Sequence, residues 1–229
     1  MKNYKITAFL LALFLSLFLY GNDLTRVDFQ NTVNQKKGIS SWTYKGKLGT
    51  KDSTFRIVKL DGKKVLRLRS EKSTGSILFD ISKVNLEKTP VMRWRWRVDL
   101  LPEGADGRLD AKDDQAIGIY IGSGGTLSQH TIAFRWETLT PRNATGFVKY
   151  GMGTVKVHWK CVRNQKDKTG VWYIDECNLK EALKKIYPDK KPERLALTLS
   201  ANSQYTGTCS VAYLDYIEFV PAEKKPCSK

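Results

Sequence analysis

Apolar residues in this chain recur at every second position, in one short run after another. Residues two apart share a face of a β-strand. The run "VMRWRWRV" (91–98) therefore reads as a strand with Met92, Trp94, Trp96 and Val98 on one side and Arg93, Arg95 and Arg97 on the other. The same period marks "TFRIVKL" (54–60), "KVLRLRS" (64–70), "GSILFDIS" (75–82), "QAIGIYIG" (115–122) and "HTIAFRWE" (130–137). It returns in "TVKVHWKCV" (154–162), "GVWYIDE" (170–176), "RLALTLSA" (194–201) and "SVAYLDYIEF" (210–219). Gly, Asn, Asp and Lys turns separate the runs, and "LDGKK" (60–64) is a hairpin signal. One helix is predicted: Asn178 caps it, Glu181 sits three residues on, Leu179, Ala182, Leu183 and Ile186 share a face, and Pro188 ends it. Some ten strands with one short helix exclude a βαβ fold. They point to an all-β chain, two antiparallel sheets packed face to face as a jelly-roll-like sandwich.

The first residues break the pattern. Lys2 and Lys5 precede an apolar run from Ile6 to Tyr20, too short for a comfortable membrane span and right for the core of a signal peptide. Residues 1–21 read as that signal, 22–229 as a single sandwich domain, and no other stretch is apolar enough to span a bilayer. No Cys follows the run, which argues against lipoprotein processing. The expected compartment is periplasmic or extracellular. Without Lys2 and Lys5 there are 37 basic and 23 acidic residues, so the exported chain carries +14. Such a chain meets anionic partners: acidic glycans, headgroups, other envelope components. Export argues against nucleic acid, although "RWRW" would suit it.

Four cysteines, Cys161, Cys177, Cys209 and Cys227, suggest disulfides in an exported chain, with three pairings open. If "RNQKDKTG" (163–170) turns a hairpin, Cys161 and Cys177 face each other across it, and Cys209 and Cys227 tie down the tail. Their spacings match no zinc template.

The run "PVMRWRWRVDLLPEGADGRLDAKDDQAIGIYIG" (90–122), with "SILFDIS" before it and "AYLDYIEF" near the end, resembles an uncharacterised family of exported bacterial proteins catalogued as domain of unknown function 3047. The resemblance covers most of the mature chain and implies a fold class and a compartment, but no mechanism. More distantly, "TFRIVKLDGKKVLRLRS" and "YLDYIEF" are similar to carbohydrate-binding jelly rolls.

Met92, Trp94, Trp96 and Val98 are expected in the core, stacked with Ile117, Ile119 and Ile121, with Ile132, Phe134 and Trp136, and with Val155, Val157 and Trp159. If these strands are neighbours, the opposite face gathers Arg93, Arg95, Arg97, Tyr120, Arg135, Glu137 and His158, with small Gly118 and Ala133 leaving a groove. Guanidinium groups grip carboxylates in a bidentate fork, so that face suits an acidic or neutral glycan or another anionic envelope component. The plainer reading pairs the arginines with nearby carboxylates. Two further alternatives stay open. One is a polysaccharide lyase or hydrolase, with Arg93 or Arg95 neutralising a uronate and His158 or Tyr120 taking the proton. The other is a structural or interaction protein of the envelope. No cofactor is expected. Asp106, Asp110, Asp113 and Asp114 lie in one loop, a possible calcium cradle without the EF-hand spacing, and no metal is assigned there.

Overall fold

The computed structural model describes residues 23–125, 128–150, 153–187 and 194–223. The proposed signal peptide, Pro188 and Cys227 lie outside the described residues. Among those described, fourteen strands and one α-helix form two sheets.

The smaller sheet is built from β12 (Tyr173–Asn178), β7 (Val91–Leu100), β14 (Cys209–Val220), β5 (Lys63–Glu71) and β4 (Thr54–Leu60), in that order. A short β1 (Arg26–Asp28) pairs with the far half of β14. The larger sheet runs β10 (Thr145–Tyr150), β11 (Val155–Arg163), β9 (Ser128–Trp136), β8 (Gln115–Gly125), β13 (Ala196–Asn202), β6 (Ser73–Asp80) and β2 (Thr43–Lys45). β3 (Lys51–Asp52) pairs with β6. Pairing is antiparallel except at β3–β6 and β11–β9. The two-sheet sandwich expected from the strand pattern is therefore what forms.

Local chemistry accounts for the punctuation. Asp61 and Gly62 both adopt positive φ, +50° and +78°, the type I′ geometry that closes a two-residue hairpin between Leu60 and Lys63. The helix α1 (Leu179–Ile186) starts where Asn178 Oδ1 accepts the Glu181 N–H at 3.0 Å. Leu179 and Leu183 bury against the core, and Lys184 and Lys185 complement the C-terminal dipole.

The inner faces meet as the alternation requires. Met92, Trp94, Trp96 and Val98 are buried, with Ile117, Ile119, Ile121, Phe134 and Trp136 opposite. Trp94 stands edge-on to Trp96 at 5.6 Å, and Trp96 meets Trp136 of the other sheet at 5.5 Å. One buried ion pair crosses between the sheets at this point. Arg163, at the end of β11, grips Asp175 of β12 with Nε–Oδ2 2.6 Å and Nη2–Oδ1 2.9 Å. The Trp96 indole donates to the same carboxylate at 2.7 Å. The guanidinium also stacks on Tyr173 at 3.8 Å.

Two expectations fail on topology. Cys161 and Cys177 do not face each other across a hairpin, because β11 and β12 belong to different sheets and the chain between them crosses the sandwich. Cys161, Cys177 and Cys209 are free thiols. The second failure is the phase of β11. Its parallel register pairs Val157 with Thr131 and Trp159 with Ala133, on the outer side of the sheet, and sends His158 to the side of Ile132 and Phe134. The larger sheet has eight strands to the other's six, so β11 overhangs the smaller one. Its apolar side packs instead into a second cluster of Ala133, Val157 and Trp159 with Tyr120, Val148 and Val155. Gly146 permits this, since a Cβ there would come within 2.2 Å of the Trp159 ring.

Removing the inter-sheet guanidinium should be severe. Arg163→Ala leaves the largely enclosed Asp175 carboxylate, 12% exposed, without its counter-charge and is expected to lower stability by about 3 kcal/mol. Chemical denaturation measures this directly. A loss under about 1 kcal/mol, the value of an exposed pair, would contradict the assignment.

Candidate functional site

The topology separates the residues that the strand pattern placed together. Arg93, Arg95 and Arg97 are on the outer face of the smaller sheet. Tyr120, Arg135 and Glu137 are on the outer face of the larger sheet, and His158 points to its inner side. The single cationic face expected of these residues is therefore not formed, because β7 is not a neighbour of β8, β9 or β11. The Arg–Tyr–His set considered for a lyase is dispersed for the same reason.

The three arginines of β7 are engaged. Arg93 pairs with Glu176 at 2.9 Å and Glu218 at 3.8 Å. Arg95 pairs with the buried Asp215 and stacks on Trp172 at 4.7 Å. Arg97 pairs with Asp99 at 2.6 Å and lies 5.8 Å from the Tyr213 ring. Pairing with carboxylates, the plainer sequence reading, holds for all three.

On the larger sheet the outward side chains converge on a groove of about 500 Å³. Alternate residues supply its floor: Ser76 and Leu78 of β6, Thr198 and Ser200 of β13, Tyr120 of β8 and Thr131 of β9. Val155 and Val157 of β11 continue it toward the β10 edge. Lys45 and Lys47 form one bank with Asn202 and Tyr205, and Asp113 and Tyr150 form the other. Tyr205 and Tyr150 are 47% and 42% exposed, and the Lys47 ammonium lies 5.4 Å from the centre of the Tyr205 ring. Such a concave mix of small hydroxyls, amides and aromatic rims is typical of small-ligand sites.

A buried ionic cluster holds the floor at the Asp113 side. Arg135 is fully buried and pairs through Nη1 with Asp113 at 2.7 Å and Glu137 at 3.5 Å. Its guanidinium carbon sits 5.7 Å from the Tyr120 ring and 5.3 Å from that of Trp159. Burial opposes the Arg135 charge, but Tyr120, Asp113 and Glu137 facing it hold it protonated. Burial pushes the Glu137 carboxyl up, against the pull of Arg135 and of the Thr140 hydroxyl that donates to it. The Gly107 N–H also donates to Glu137, at 3.1 Å. Tyr120 lies over Gly118, where a Cβ would come within 2.5 Å of its ring, and its hydroxyl accepts from Gln115 Nε2 at 2.8 Å. The opening expected above Gly118 is thus filled by Tyr120, and the groove lies farther along the sheet. Asp113 is also held by the Tyr150 hydroxyl at 3.1 Å.

The four aspartates of the 106–114 loop are not gathered. Arg108 donates to Asp106 at 2.6 Å and holds its carboxyl down at about 2. Asp113 faces Arg135, Asp114 accepts from Thr206 at 2.7 and 2.8 Å, and Asp110 opens a 3₁₀ turn. Among the described residues no group of three His, Cys, Asp or Glu side chains is placed to hold a metal ion.

Lys45, Lys47, Gln129, Tyr150, Asn202 and Tyr205 border the groove and were not singled out in the sequence. The signal for Asn202 was available, since Thr198, Ser200 and Asn202 alternate with Leu197, Leu199 and Ala201. Lys45, Lys47 and Tyr205 lie in or beside short segments with no periodicity to read.

A family model described as "Protein of unknown function (DUF3047)" matches residues 40–218. No curated protein matches the chain. Among solved structures, the chain is similar to the family 11 carbohydrate-binding module of cellulosomal cellulase Lic26A-Cel5E of Clostridium thermocellum. That match has a TM-score of 0.44 at 7% identity, covering 87% of this chain and 99% of that one. The CBM22-1 xylan-binding domain of Xyn10C from Paenibacillus barcinonensis matches with a TM-score of 0.39 at 12% identity, over 86% and 94% of the two chains. The xyloglucanase domain of NopAA, a type three effector from Sinorhizobium fredii, matches with 0.41 at 10% identity, over 85% and 94%.

The ionic cluster under the floor gives a pH-dependent expectation. Arg135→Ala strands Asp113 and the buried Glu137, and should cost about 3–5 kcal/mol at pH 7. A carboxyl whose folded pKa lies above its unfolded value loses stability as pH rises from the unfolded pKa through the folded one. The variant's deficit should therefore shrink as pH falls toward 5 and Glu137 takes up a proton. Urea denaturation of both proteins at pH 5 and pH 7 tests this, and a deficit independent of pH would refute it.

Proposed function

The chain belongs to the DUF3047 family, and we propose that it is an exported glycan-binding protein whose ligand lies along the outer groove of its larger sheet. One observation carries the reading. Seven strands of that sheet turn alternate side chains into a single groove of about 500 Å³ with partly exposed tyrosines at both banks. Tyrosine offers a large, rigid apolar face with a polar tip, suited to the faces of pyranose rings. Gln129, Thr131, Thr198, Ser200 and Asn202 offer donors and acceptors for sugar hydroxyls. Lys45 and Lys47 have no ion-pair partner among the described residues, which favours a glycan carrying carboxylates over a neutral one. In this reading Arg135 and Glu137 position the floor from below and touch no sugar. Arg93, Arg95 and Arg97 take no part, their charges being met by carboxylates of their own, smaller sheet.

Export rests on Lys2, Lys5 and the apolar run 6–20. The net +14 of the remaining chain agrees with an anionic partner outside the cytoplasm. Among the described residues no helix is long and apolar enough to cross a membrane.

A glycan array followed by calorimetry on the best ligand tests the proposal. Tyr205→Ala and Tyr150→Ala should each weaken binding about tenfold, roughly the 1.4 kcal/mol of a lost ring contact. The thermal midpoint should move little, because both rings are partly exposed. An array without binders, or unchanged affinity in both variants, would refute it. Ultraviolet absorbance from unsaturated uronate, appearing on incubation with acidic polysaccharides, would replace binding with lyase chemistry.

A further inference from the structure

The overhang of the larger sheet leaves a cleft on its inner side. It lies between α1 and the inner side of β9, β10 and β11, with a volume of about 650 Å³. That size falls within the roughly 300–1,000 Å³ of small-ligand sites. Ile132 and Phe134 of β9, Phe147 of β10 and Ala182 and Ile186 of α1 form its apolar wall. His158, Lys160, Cys177, Glu181 and Lys185 supply the polar remainder.

Two ammonium groups border the cleft from different elements: Lys160 stands on β11 in register with Phe134, and Lys185 stands on α1 beside Ile186. Neither lysine has an ion-pair partner among the described residues. Glu181 offsets one of them, which leaves the cleft one net positive charge. Burial holds His158 below its ordinary range, so the imidazole adds a hydrogen-bonding group and no charge at pH 7. An apolar wall bordered by one net positive charge is complementary to an apolar molecule with one negative charge.

We infer that this cleft is a second binding site, for a medium-length alkyl or acyl chain with a single anionic head held between Lys160 and Lys185. The chain lies against Ile132, Phe134 and Ile186. Carboxylate and phosphate heads share this chemistry. The site is independent of the sugar groove, from which the sheet itself separates it.

Calorimetry of the whole protein with dodecanoate, dodecyl phosphate and dodecanol, each below its micellar concentration, tests the inference. At least one of the two anions should bind, and the tighter one identifies the head. Dodecanol should bind at least tenfold more weakly than that anion. Removing two methylenes from the chain should weaken binding roughly 15-fold. Lys160→Glu and Lys185→Glu should each reduce affinity tenfold or more without moving the thermal midpoint, and Tyr205→Ala should change nothing. Ala182→Trp, which fills the cleft, should abolish binding; if that variant does not fold, the two lysine variants decide. Failure of both anions to bind, binding unaffected by both lysine changes, or dodecanol binding as tightly as the anions would overturn the inference. The last outcome would instead mark the cleft as a dock for an apolar side chain of a protein partner.

Discussion

The ion pair between Arg163 and Asp175 joins the two sheets at the place where they cease to overlap. Arg163 ends the strand that overhangs, and Asp175 sits on the edge strand of the smaller sheet. Trp96 donates to the same carboxylate and meets Trp136 across the core. A charge pair of this kind needs its full complement of hydrogen bonds, and here the bidentate grip, the Trp96 indole and Asp167, which accepts from Arg163 Nη1 at 2.7 Å, provide them, with the guanidinium stacked on the Tyr173 ring. Beyond this latch the smaller sheet gives no cover, and the larger sheet must find other partners for both of its faces.

The inner cleft follows from that mismatch, and so does the β11 end of the outer groove. On the outer side, Val157 and Trp159 build a second apolar cluster with Tyr120, which sets the floor level beside the groove. On the inner side, α1 covers part of what the smaller sheet cannot, and stands far enough off β10 and β11 to leave a cleft. Arg135 belongs to the same economy of space: it is buried under the floor, so its charge is met by Asp113 and Glu137 and not by solvent. The floor is thereby tied down by buried ion pairs while the rims, Tyr150 and Tyr205, stay partly exposed.

The strand pattern carried most of the architecture, and its limits are physical. Period two is strong where one face is buried, so β7, β8 and β9 show their core sides plainly: Trp94, Ile119 and Phe134 are where alternation puts them. β11 has the same alternation, but period two says only that its two faces differ, not which one points inward. Register and sheet assignment decide that, and the parallel pairing of β11 with β9 inverts it. The same gap dispersed the expected arginine face, since nothing local in "VMRWRWRV" tells that β7 pairs with β12 and β14. The hairpin at Asp61–Gly62 and the cap at Asn178 were legible because each depends on residues a few positions apart. The groove was not, because it is assembled from seven strands and its rims lie beside short or irregular segments. The pairing of Cys161 with Cys177 rested on a hairpin that the chain does not make.

The central claim is that the outer face of the larger sheet, and not the arginine face of the smaller one, receives the ligand. Backbone and methyl nuclear magnetic resonance during titration with an acidic oligosaccharide tests it most directly. The account expects saturable shifts at Gln129, Thr131, Thr198, Asn202 and Tyr205, with Arg93, Arg95, Arg97 and Trp172 unmoved. Saturable shifts centred on the three arginines and Trp172, with the groove silent, would contradict it.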